Sequence, residues 1–107
     1  PIEGFGVFQI TNFNDVKKQY WPQFKLVIAL SNGKLYQNEE AVGRAIQKSG
    51  VPREELFVTT KAYIHQIGDE KTKVAFDESL SRLGLDYLDL YLIHMPFGDY
   101  YGSWRAM

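Results

Sequence analysis

"YLDLYLIHMPFGD", residues 87–99, is the stretch on which the fold turns. It opens as an apolar run of strand length, the pattern of a strand covered on both faces, and delivers an imidazole, His94, at its last position. Met95 and Pro96 follow at once and close the run.

Upstream lie three more stretches rich in strand formers: "GFGVFQI" (4–10), "FKLVIAL" (24–30) and "ELFVTTK" (55–61). Between them the period changes to that of a helix. "NDVKKQYW" (14–21) starts on a capping Asn14 and stops at Pro22. "NEEAVGRAIQKSG" (38–50) has Asn38 as its cap, acidic Glu39 and Glu40 against the helix dipole, a stripe of Val42, Ala45 and Ile46, and Gly50 as its stop. A longer helix is expected from about Asp69 to Leu83, with Phe76, Leu80 and Leu83 on one face and Gly84 as terminator. "YGSWRAM" reads as the first turn of another helix. This β-α-β-α-β-α-β-α order predicts an α/β fold with parallel strands, right-handed crossovers and helices against the sheet.

With 107 residues, a formal charge of −1 and 45% hydrophobic residues, the chain has the composition of one small globular unit. The absence of cysteine removes disulfide and thiolate metal chemistry and favours a reducing compartment, so a cytoplasmic setting is expected. Near-neutral charge without a basic stripe argues against nucleic acid. No apolar run approaches the roughly 20 residues of a membrane span, and no partner membrane is expected. Neither a phosphate-binding glycine loop nor a metal-ligand spacing occurs, so no metal is expected.

Parallel strands point their C-terminal ends one way, and ligands of α/β proteins sit at that end. His94 ends the fourth predicted strand, Lys61 the third, and Tyr36 lies a few residues past the second. Taken singly, each has a plain structural reading: a hydrogen-bonded histidine, a solvated lysine, a packed tyrosine. On one rim they make chemical sense together, because an ammonium beside a phenol favours phenolate and makes the tyrosine a usable proton donor near neutral pH. His65, in a polar loop, reads as a surface residue.

The segments "GFGVFQI", "YQNEEAVGRAI", "SGVPREELFVTTK", "SLSRLGLDYLDLYLIHMPFGD" and "YGSWRAM" strongly resemble the aldo-keto reductases. That resemblance implies a (β/α)8 TIM barrel, of which residues 1–107 would be the N-terminal half, about the first four β/α units and an incomplete domain. It implies NADPH as cofactor, a small aldehyde or ketone as substrate and reduction to the alcohol. Residue by residue, Tyr36 resembles the proton donor, Lys61 the lysine that tunes it, and His94 the histidine that orients the carbonyl. Gly6, Val7 and Phe8 match positions along the cofactor, and Phe8, Tyr63 and Met95 match positions of the substrate pocket. The resemblance leaves the oligomeric state open.

Two departures from the family pattern carry expectations of their own. The family's aspartate, five residues before the tyrosine, falls on Ser31 by direct counting or on Ile28 by strand alignment, and neither is acidic. The mismatch is one block, about residues 22–35, between closely matching flanks. A codon choice exists for residues 25–31 that reads Ile-Gly-Tyr-Arg-Phe-Ile in a neighbouring frame, as the family's second strand usually runs. The block is therefore expected to be a reading-frame shift, which a continuous open frame in the resequenced DNA would refute. The other departure is length, since such a barrel takes about 250 residues. The 107-residue polypeptide alone is expected to bind NADPH weakly and not to turn over. Alternatives to an enzyme are a non-catalytic binding subunit, as in the related barrels that serve potassium channels, and a truncated, frame-shifted product.

Overall fold

A computed structural model of the chain describes residues 3–6, 26–29 and 39–107. Four strands form one parallel sheet: β1 (Glu3–Gly6), β2 (Leu26–Ala29), β3 (Leu56–Ala62) and β4 (Leu90–Ile93). Their order across the sheet is β1-β2-β3-β4, with every neighbouring pair parallel. Sequential order is what a closing barrel requires, and it differs from the reversed order at the centre of a doubly wound sheet. The expected helix at 14–21 lies outside the described residues.

Helix α1 (Glu39–Ser49) carries β2 to β3, and helix α2 (Asp69–Leu83) carries β3 to β4. Single 3-10 turns at Arg53–Glu55 and Ile64–Gln66 flank β3. The core lies between the sheet and these helices, where Val42 and Ile46 of α1 meet Leu56 and Val58 of β3 and Leu83 of α2. Strand alternation decides this side: Leu56, Val58, Thr60 and Ala62 face the helices and all are buried. Across from them, Phe57 of β3 and Leu90 and Leu92 of β4 stay 41%, 42% and 38% exposed. The run at 87–99 therefore is not covered on both faces: among the described residues, helices lie against one face only. β4 is also shorter than the apolar run suggests: Val58 N, which would meet a strand carbonyl, donates to the Asp89 side chain, and Tyr87 O accepts from the Arg53 side chain.

α1 and α2 touch where Gly43 meets the Leu83 carbonyl, so closely that a Cβ at position 43 would overlap that backbone oxygen. α2 ends as its glycine demands. Gly84 takes a left-handed φ of 65° and donates to Ser81 O at 3.2 Å, while Leu85 N reaches Leu80 O at 3.1 Å. The last helix, α3 (Tyr100–Ala106), is capped by the Asp99 carboxylate, which accepts from Gly102 N at 2.8 Å. α3 is seated on α2 by hydroxyls: Ser103 Oγ accepts from Gly68 N at 2.7 Å, and Thr72 Oγ1 lies 2.8 Å from Ser103 Oγ.

Candidate active site

Lys61 is the penultimate residue of β3, and His94 follows the last residue of β4. Parallel pairing sets Lys61 opposite Leu92, and partners in a parallel ladder project to the same side. His94 N donates to Ala62 O at 2.9 Å, so the ladder continues one step past β4. Lys61 and His94 therefore share the face turned away from α1 and α2, at the C-terminal ends of adjacent strands, with Cα positions about 8 Å apart from strand spacing and rise. Tyr63, two residues beyond Lys61, is on that side too: its ring lies over the imidazole of His94, centroids 5.9 Å apart and planes within 25°. Its main chain is fixed by Gln66, whose Oε1 accepts from Tyr63 N at 2.9 Å. His65 is exposed, as its polar loop suggests, and its ring meets that of Tyr63 edge-on with centroids 5.8 Å apart.

Met95 is the one non-glycine among the described residues with a left-handed backbone, φ 59°. It stands directly before Pro96, whose ring already excludes the right-handed helical region for its predecessor. The turn closes with Phe97 N on Met95 O at 2.7 Å, so the chain reverses immediately after the imidazole. Such strain, of order 1–3 kcal/mol, persists where surrounding structure imposes it and gathers at functional sites. Met95 is left exposed beside His94.

Of the other expected site residues, Tyr36, Val7 and Phe8 lie outside the described residues, as does Ser31. Gly6 ends β1 and is paired with Ala29, at the same end of the sheet as Lys61. Ile28 pairs with Val58, three residues short of Lys61, so it is not level with the ammonium. Among the described residues no cluster of three or more His, Asp or Glu could hold a metal.

Sequence reasoning missed Glu39. It reads as one of two interchangeable acids at a helix start, yet it is 2% exposed while Glu40 is on the surface. Its Oε1 accepts from Thr60 Oγ1 at 3.1 Å and its Oε2 from Arg82 at 3.1 Å. Arg82 also holds Glu78 at 2.6 Å. Burial alone would lower the Arg82 guanidinium, but these two carboxylates outweigh it and hold it above its ordinary value. Burial, and then the Glu39 charge, push the Tyr91 phenol well above its ordinary value, so it stays neutral. A glutamate four residues before a glycine in a helix start gives no signal of this network, whose partners are 21 and 43 positions away.

Comparison with known proteins adds an independent line. A family model described as the Aldo/keto reductase family matches residues 29–106. Glyoxal reductase of Bacillus subtilis (strain 168) is 46% identical over 109 residues, covering 100% of this chain and 40% of that protein. The crystal structure of an aldo/keto reductase from Brucella melitensis superposes with a TM-score of 0.80 at 41% identity, covering 96% of this chain and 40% of that one. A Bombyx mori aldo-keto reductase crystallised in complex with NADP gives 0.74 at 32% identity, over 100% of this chain and 41% of the other. The chain thus spans about 40% of the length of the relatives it matches.

Proposed function

This chain belongs to the aldo/keto reductase family, and from that premise we propose that it is the N-terminal part of an NADPH-dependent enzyme reducing aldehydes or ketones to alcohols. The observation that carries the reading is the shared placement of Lys61 and His94 on the face turned away from α1 and α2, at the C-terminal ends of neighbouring parallel strands. An ammonium and an imidazole at one strand-end rim are what carbonyl polarisation and proton delivery require. A bound nicotinamide cofactor would supply the hydride, and Gly6, Val7 and Phe8 are the residues that would contact it. His94 orients the carbonyl oxygen, stacked in place by Tyr63. Tyr36 gives that oxygen its proton, and Lys61 lowers the phenol's pKa so that the transfer runs near neutral pH. Phe8, Tyr63 and Met95 are the residues assigned to selecting the small carbonyl substrate.

The test uses the polypeptide encoded by the uninterrupted gene, purified and assayed for NADPH oxidation with a simple aldehyde. Turnover is expected, falling about 10²–10⁴-fold in Tyr36→Phe with little change in NADPH binding. Wild-type turnover that survives Tyr36→Phe and Lys61→Met intact would refute the assignment. The 107-residue polypeptide by itself is expected to bind NADPH weakly and to show no steady oxidation.

A further inference from the structure

Glu39 poses a problem that the helix start does not solve. An acid in the first turn gains from the helix dipole at the surface, and Glu40 already occupies that place. Burying a second carboxylate costs several kcal/mol before its partners compensate. Its two oxygens are divided between elements: one takes the Thr60 hydroxyl of β3, the other the Arg82 guanidinium of α2, while the residue itself begins α1. Three elements meet on one carboxylate.

Thr60 is the residue before Lys61 and projects to the opposite face of β3. A bond that fixes Thr60 on the helix side fixes the rotation of the strand about its axis, and with it the direction in which Lys61 leaves the other side. We infer that Glu39 is a positioning residue: through Thr60 it holds β3 against the start of α1 and so sets the direction in which the Lys61 ammonium leaves the strand. The inference rests on the reductase reading above.

The informative change is Thr60→Val, which removes the hydroxyl at nearly constant volume and leaves the Glu39–Arg82 pair in place. In the polypeptide from the uninterrupted gene, Thr60→Val is expected to lower kcat about tenfold, with KM for NADPH within about twofold of wild type. A phenol further from its ammonium ionises later, so the alkaline limb of the pH profile moves to higher pH. Thr60→Ser restores the hydroxyl and is expected to restore both kcat and the profile. Thr60→Ala is expected to show the same loss and serves where valine is not accommodated. An unchanged kcat and profile in Thr60→Val, or an equal loss in Thr60→Ser, overturns the inference while active wild type leaves the reductase reading standing. Wild-type protein without carbonyl reduction overturns both.

Discussion

Asp89 uses its side chain where a strand residue would use its backbone. Its Oδ2 accepts from Val58 N at 2.8 Å and from Arg53 at 2.7 Å, while its own N–H donates to Val58 O at 3.0 Å. Arg53 extends the clamp to Leu56 O and Tyr87 O, and its guanidinium lies 3.9 Å over the Tyr87 ring. The pair is partly shielded from water, so it outweighs an ordinary surface ion pair. Asp89→Ala leaves the Val58 N–H without its acceptor and takes the carboxylate from the Arg53 guanidinium, and is expected to destabilise the fold by about 1.5–3 kcal/mol in urea unfolding. Asp89→Asn keeps an acceptor for Val58 and is expected to lose less. Equal stability of Asp89→Ala and wild type would remove the clamp from the account.

Among the elements, the junction of α1 and α2 is the least forgiving. Alanine is the better helix former by about 1 kcal/mol, so propensity alone favours Gly43→Ala. Contact with the Leu83 carbonyl opposes it, because the obstacle is backbone and has no rotamer to yield. Gly43→Ala is expected to lower stability by about 1–3 kcal/mol, read as a fall in the thermal midpoint. A rise instead would mean the helices part without cost. Much at this scale is legible in the sequence. The periods of 39–49 and 69–83, the Gly84 stop, and the strand stretches around Val58 and Leu92 all match the structure, since each depends on neighbours three or four residues away or alternating along one strand. Lys61 and His94 are legible for the same reason, as both sit at strand ends. Glu39 and Asp89 are not, because burial and hydrogen-bond partners tens of residues distant give an acid its meaning, and local pattern does not carry that distance.

Across the whole molecule, four sequential parallel strands with helices on one side are the first β/α units of a (β/α)8 barrel. In a closed barrel the other side is the packed interior. Here it presents Phe57, Leu90 and Leu92 beside Lys61. The 107-residue polypeptide is accordingly expected to enhance the fluorescence of a dye that reports apolar surface, and a Leu90→Thr/Leu92→Thr variant to do so markedly less. Equal enhancement by both would place the accessible apolar surface elsewhere.

The bonds that tie β4 to β3 are short in space and independent of the route between them. Val58 meets Asp89 at one end of the pair and Ala62 meets His94 at the other, while residues 63–88 make a detour that neither bond consults. A slip of a single position in β4 would carry the imidazole to the other side of the sheet, and a bond at each end of the pair opposes it.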